Sequence, residues 1–187
     1  KEYTWNGIKQ QNRNRLLWQD ESVDGMKTGH TSSAGYCLVA SAKRGEMRLV
    51  TVILGADSEK ARIQETQKLL NYGFRFYESL QLYQAKQALQ QVKVWQGAED
   101  EVFIGTDQAL HLTIPRGQYS KLKPIIEFQP NLVAPIRQGQ SVGTLKVMLA
   151  DKELANLPLV AMNDVAEGGF FKRLLDQAKL AILRLSQ

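Results

Sequence analysis

From about Leu80 to Met162 the apolar residues of this chain come only in short runs. These are Val92 to Trp95, Val102 to Ile104, Leu110 to Ile114, Ile125 to Phe128, Leu132 to Ile136 and Val142 to Leu149, and Pro115, Gly117, Pro124, Pro130, Gly139 and Pro158 punctuate the stretch. Proline lacks an amide proton and glycine supplies turn geometry, so the pattern predicts short strands joined by turns: a small all-β unit.

The text before it has a different period. Runs from Gly35 to Ala42 and from Arg48 to Gly55 flank Lys43, Arg44, Gly45 and Glu46, a composition suited to a hairpin turn, and both runs read as interior strands of an antiparallel sheet. From Ser58 onward Ala61, Ile63, Thr66, Leu69, Leu70 and Phe74 recur at steps of three and four, which predicts a helix capped by Asp57 or Ser58. Residues 1 to 20 are rich in Asn, Gln and Arg and predict irregular structure or short strands. A boundary is expected between Tyr77 and Gln84, where helix gives way to strands.

The end of the chain is helical again. On a wheel of about 100° per residue, Phe170, Phe171, Leu174, Leu175, Ala178, Ala181, Ile182 and Leu185 share one sector, with Leu180 and Leu183 as exceptions. Gly168-Gly169 reads as a detaching link before it. An amphipathic terminal helix packs on its own protein or lies on a membrane interface; the paired Phe residues, the Gly pair and four basic residues against one acid favour the interface.

Composition narrows the chemistry. The net charge of +5 permits an anionic partner without choosing between lipid headgroup, nucleic acid and carboxylated substrate. One cysteine excludes an intrachain disulfide, and His30 and His111 are too few for a zinc cluster, so no metal and no cofactor is expected. No apolar run approaches the roughly 20 residues of a spanning helix. The chain opens on Lys1 with no run resembling a signal peptide, which predicts an incomplete or processed chain.

The informative stretch is Asp24-Gly25-Met26-Lys27-Thr28-Gly29-His30-Thr31. Lys27 offers a point charge to a carboxylate, Thr28 a hydroxyl donor, and Gly29 removes the Cβ that would hold a substrate backbone away. The amide after Gly29 is placed to meet a developing oxyanion. An isolated triplet of this kind is more often a solvated lysine before a turn; the surrounding text decides otherwise.

Lys27-Thr28-Gly29 resembles the third signature element of the serine penicillin-recognising enzymes. The wider text is similar to the low-molecular-mass D-alanyl-D-alanine carboxypeptidases: Asn12-Arg13-Asn14, Leu16-Leu17-Trp18, Val23-Asp24-Gly25, Ala34-Gly35-Tyr36, Tyr72-Gly73-Phe74-Arg75-Phe76-Tyr77 and Leu112-Thr113-Ile114-Pro115-Arg116-Gly117. The resemblance implies an α+β chain. Residues 1–79 would form the C-terminal part of a β-lactamase/transpeptidase-like domain, antiparallel sheet plus helix. Residues 80–163 would form a β-rich stalk, and 164–187 an amphipathic anchor helix.

It further implies that Lys27, Thr28 and Gly29 engage the terminal D-Ala carboxylate and that the His30 backbone amide completes an oxyanion hole. Arg13 and Arg62 fall where the family places arginines near that carboxylate; a surface or helix-face arginine is the alternative at each. No catalytic nucleophile is expected in the chain. Ser-x-x-Lys occurs only as Ser120-Lys121-Leu122-Lys123, which reads as a loop, and Ser-x-Asn does not occur. Both elements precede Lys-Thr-Gly in the family.

The implied activity of the intact protein is removal of the terminal D-alanine from peptidoglycan pentapeptides, with β-lactams acylating the same serine. The implied partners are the pentapeptide, β-lactams, the missing N-terminal part of the same domain, and a membrane surface met by Phe170, Phe171, Leu174, Leu175 and Ile182; no nucleic acid is expected. The implied location is the periplasmic face of the bacterial inner membrane, peripherally. A β-lactamase shares Lys-Thr-Gly but needs no second domain after it. A noncatalytic envelope interaction module is the rival of another class.

Overall fold

The computed structural model describes residues 1–185, with side chains as far as Leu183, and divides into two compact units. Ser186 and Gln187, which end the expected anchor segment, lie outside the described residues, as do the side chains of Arg184 and Leu185.

The first unit comprises residues 1–80 and 113–116. Strands β1 (Glu2–Trp5) and β2 (Ile8–Gln11) form a hairpin across Asn6-Gly7, both at positive φ, as a two-residue turn that follows the strand twist requires. A short helix α1 (Leu16–Gln19) leads to the strands β3 (Val23–Thr31), β4 (Gly35–Arg44) and β5 (Met47–Ala56), antiparallel in that order. Arg44 pairs with Met47, so the expected hairpin turns through Gly45-Glu46, with Gly45 at φ +59°.

Helix α2 (Glu59–Phe76) begins at Ser58, whose hydroxyl accepts the Ala61 amide at 3.1 Å. Its Ile63, Leu70 and Phe74 are buried with Leu38, Ala40 and Met47 of the sheet, each fully buried aliphatic side chain contributing about 1.5–3 kcal/mol. Helix and sheet approach so closely at Gly73 that a Cβ there would lie 2.5 Å from a Leu49 methyl. At the other end of α2, the Arg116 guanidinium donates to the carbonyl oxygens of Phe74, Arg75 and Tyr77, satisfying groups a helix C-terminus leaves open.

Strand β5 departs from expectation. Among the described residues it is an edge, and alternate residues Val50, Val52 and Leu54 are 57%, 54% and 73% exposed on the face away from α2. Its apolar content on both faces reads as an interior strand, but in this chain only one face is covered.

Strand β6 (Tyr77–Tyr83) follows α2. The second unit comprises residues 81–112 and those from 117 onward. Its strands are β7 (Gln87–Trp95), β8 (Glu101–Thr106), β9 (Leu110–Pro115, whose last three residues belong to the first unit), β10 (Leu122–Phe128), β11 (Leu132–Val133), β12 (Ser141–Leu149) and β13 (Lys152–Ala161). Six of them form one sheet in the order β10-β12-β13-β8-β7-β11. The core lies on alternate residues such as Val92, Val94, Val102, Ile104, Leu145 and Val147.

Sequence periodicity missed β13 because Pro158 reads as a breaker. Pro158 sits where β13 pairs with β12 alone, one residue before its pairing with β8 begins at Leu159, so the missing amide proton costs no bond on the β8 side.

Helix α3 (Phe170–Leu185) is docked on this unit rather than detached from it. The Asp176 carboxylate, 9% exposed, accepts the Gln96 amide at 2.9 Å, and Leu180 is 5% exposed. Lys172 pairs with Asp100 at 2.8 Å and Arg173 with Glu167 at 2.6 Å. The Gly168 amide donates to the Gln96 carbonyl, and a Cβ on Gly168 would lie 2.6 Å from the Gly97 oxygen. Gly168 therefore serves close approach, not slack. The stripe carrying Asp176 and Leu180 faces the sheet, while Phe170, Phe171, Leu174, Leu175 and Ile182 are exposed. No helix among the described residues is long and apolar enough to cross a membrane.

Candidate functional site

The Lys-Thr-Gly triplet lies in the middle of β3, the edge strand of its sheet opposite β5. Register fixes which face each residue takes: Lys27 stands opposite Val39, Thr28 opposite Leu38, Gly29 opposite Cys37 and His30 opposite Tyr36. Val39 in turn stands opposite Val52, so Lys27 shares the bare face of the sheet, whereas Thr28 and His30 share the face that α2 covers. The Gly29 Cβ position would meet the Cys37 Cβ at an ordinary 3.6 Å, so the strand tolerates a side chain there from behind. Gly29 shares its face with Lys27, so what glycine keeps open is that face of the strand beside the lysine.

Along that edge runs a cleft of about 410 Å³ bordered by Arg13, Lys27, Thr28, Gly29, His30 and Arg62. All the residues expected at the site from sequence therefore meet in one place. None of the cleft's lining residues is acidic, and three carry permanent or near-permanent positive charge. Lys27 and Arg13 are exposed, and the Lys27 ammonium donates to the Thr28 carbonyl at 2.6 Å. A lysine that finds a backbone oxygen and water is free to exchange the latter for a carboxylate.

Arg62 is a different kind of cation. It is 4% exposed, donates to the Arg13 carbonyl at 3.3 Å and to Glu59 at 3.1 Å, and its buried Nε has no hydrogen-bond partner among the described residues. A guanidinium has five donors in a fixed fork, and leaving one buried and unmade costs about 1–3 kcal/mol. Position 62, one helical turn beyond the Ser58 cap, brings this side chain over the sheet at the cleft. It also stands 5.5 Å from the Tyr36 ring.

Sequence reasoning did not single out the residues that hold the strand in place. Asn14 is 1% exposed; its side-chain amide donates to the Gly25 carbonyl at 3.0 Å and its oxygen accepts the Leu16 amide at 3.2 Å. The Asn12 side chain accepts the Asn14 amide at 2.9 Å, so Arg13 is carried on a segment pinned at both neighbours. The signal was an Asn two residues before a helical apolar pair, a position where Asn side chains bond local amides. Across the sheet, Arg48 of β5 donates to Asp24 of β3 and Ser41 of β4. Arg48 first, and the Ser41 hydroxyl with it, hold the Asp24 carboxyl below its ordinary range.

The His30 imidazole packs on Tyr36, ring centroids 4.0 Å apart. His111 is exposed on β9 and Cys37 is half-buried and free, both remote in role from the cleft. Ser120 and Lys121 lie in a single 3-10 turn, Tyr119–Lys121, of the second unit, without the helical turn that would bring a lysine to a serine.

A family model described as D-alanyl-D-alanine carboxypeptidase matches residues 1–58, and one described as penicillin-binding protein 5, C-terminal domain, matches residues 77–167. D-alanyl-D-alanine carboxypeptidase DacC of Escherichia coli is 47% identical over 178 residues, covering 94% of this chain and 44% of the relative. DacA of the same organism is 43% identical over 182 residues, 96% of this chain and 45% of the relative. The crystal structure of penicillin-binding protein 5 from Haemophilus influenzae superposes with a TM-score of 0.82 at 42% identity, over 89% of this chain and 49% of that one. The chain thus spans less than half the length of these curated relatives. With both family models matched and relatives 43% and 47% identical along nearly all of its length, the chain belongs to the D-alanyl-D-alanine carboxypeptidase family of penicillin-binding proteins.

Proposed function

We propose that the protein to which these residues belong is a serine-type D-alanyl-D-alanine carboxypeptidase, and that this chain supplies the wall that binds the substrate carboxylate. The observation that carries this is the acid-free cleft along a strand edge, with Lys27, Thr28, Arg13 and Arg62 around it. A pentapeptide laid along β3 presents its terminal carboxylate to these donors. The scissile carbonyl oxygen then lies near the His30 amide, a preorganised donor for a tetrahedral intermediate.

In this reading the nucleophile comes from an upstream part of the intact protein, because Ser-x-x-Lys precedes Lys-Thr-Gly in the family. The serine Oγ bonds to the carbonyl carbon of the penultimate D-Ala, the C–N bond breaks, and D-alanine leaves with a proton on its nitrogen. Water then hydrolyses the ester and restores the serine. A β-lactam carries a carboxylate and a strained amide and enters the same route. The bare apolar face of Val50, Val52 and Leu54 supports docking of that upstream part beside Lys27. The β-rich unit serves as a stalk, and the outward apolar side of α3 supports peripheral attachment to the periplasmic face of the inner membrane.

Labelled penicillin tests this directly. The complete protein takes up the label covalently and the 187 residues alone do not; labelling of the 187 residues would overturn the proposal. In the complete protein, Lys27→Gln loses about 100-fold in kcat/KM for pentapeptide, the scale of one charged contact of about 3 kcal/mol. Undiminished cleavage would remove Lys27 from the site.

A further inference from the structure

Arg62 is a long side chain with an unfinished hydrogen-bond set, and something has to keep its guanidinium at the cleft. Glu59, three residues back on the same helix, already holds one nitrogen, and without restraint the fork would close on that carboxylate with two bonds. Besides the 3.3 Å bond from Arg62 to the Arg13 carbonyl, the restraint visible in the fold is Tyr36. It lies on the α2 side of the sheet, directly opposite His30 in the β3–β4 register. The His30 imidazole packs on the phenol ring with centroids 4.0 Å apart and planes tilted by 36°, and the Arg62 guanidinium stands 5.5 Å from the ring centroid. The Tyr36 hydroxyl makes no hydrogen bond with any described residue, so the ring, not its oxygen, is what the arrangement uses.

We infer that Tyr36 is a positioning residue which, packed on His30 and close to Arg62, keeps the Arg62 guanidinium facing the cleft and so sets the preference for a free terminal carboxylate. The inference rests on the carboxypeptidase reading above and adds to it a residue that does not touch substrate. A cation near an aromatic face is held electrostatically, more strongly when both are desolvated, and Arg62 is nearly sealed from solvent. Without the ring, Arg62 turns to Glu59 and a carboxylate loses its buried partner. A substrate with a terminal carboxamide has no such partner to lose.

The test is kinetic and carries its own control. In the complete protein, kcat/KM is measured for a pentapeptide ending in a free carboxylate and for the same peptide ending in a carboxamide. Tyr36→Met keeps an apolar side chain of most of the volume and removes the ring; the carboxylate-to-carboxamide ratio falls about 10-fold, mainly through KM for the free acid. Tyr36→Phe keeps the ring and restores the ratio. A variant that is merely less folded loses activity on both peptides alike and leaves the ratio unchanged, which would overturn the inference. So would a ratio as low in Tyr36→Phe as in Tyr36→Met. A parent protein without turnover on either peptide removes the carboxypeptidase reading itself, and shows this before any variant is compared.

Discussion

Replacing Asn14 by Ala removes a residue that no substrate touches yet loosens the strand carrying the site. The side chain is 1% exposed and makes two bonds, one to the Gly25 carbonyl and one from the Leu16 amide, and Leu16 itself is fully buried. The Leu16 amide is sealed from water and the Gly25 carbonyl partly so, and each bond left unmade costs about 1–3 kcal/mol, the carbonyl toward the lower end. Taking about 3 kcal/mol for the pair, the unfolding temperature falls by about 6–12 °C, and exchange of the Leu16 amide speeds up about 100-fold if it proceeds through opening of this segment. Asn14→Asp is the sharper probe. It is the same size and still accepts from Leu16, but it sets a carboxylate oxygen against the Gly25 carbonyl where a donor stood, so it loses at least as much as Ala. Amide exchange read by mass spectrometry, together with a thermal melt, decides the matter. An Asp variant as stable as the parent, or an Ala variant whose Leu16 exchange rises less than about 3-fold, would show that Asn14 does not pin β3.

Other outcomes follow from single contacts. Gly105→Ala puts a Cβ 2.0 Å from the Gln87 oxygen, a backbone atom that cannot swing aside, so the second unit loses about 3 kcal/mol in urea titration. Asp176→Ala removes a buried charged acceptor worth about 1.5–3 kcal/mol; exchange across α3 rises about 10-fold or more while β12 and β13 keep their protection. Asp20 gives a pH signature. Burial alone would raise its carboxyl, but bonds from the Ser22 hydroxyl and amide and from Arg44 outweigh it, so the folded value lies below the ordinary 3.8. The unfolded chain therefore takes up this proton first as pH falls, and the stability from Asp20 is full above about pH 4 and lost as pH drops through the folded value. Asp20→Asn flattens that part of the acid melt, and an unchanged acid limb would discount the contact.

Much of the candidate site was legible because its chemistry is local in sequence. Lys27, Thr28 and Gly29 are consecutive, and a strand places consecutive residues along one edge whatever surrounds it. The Ser58 cap and the α2 stripe were legible for the same reason, since capping and helical period act within a few residues. Strand β13 was not, because a proline in an interior strand is acceptable only when its neighbour's pairing begins beyond it, a fact of register between distant segments. Tyr36 was invisible as a support because His30 and Arg62 lie 6 and 26 residues away, and the hold of Asn14 on β3 was invisible because Gly25 lies 11 residues on.

The terminal helix marks the division most clearly. Sequence alone determined that residues from Phe170 onward are helical with an apolar sector, since side-chain period is set by helix geometry. It did not determine which side faces the protein. Tertiary structure gave that place to Asp176 and Leu180, with Lys172 and Arg173 spent on Asp100 and Glu167, because a buried carboxylate finds the Gln96 amide only after the β7 turn is built. A hydrophobic stripe records what prefers to leave water; which surface receives it depends on groups that folding alone brings together.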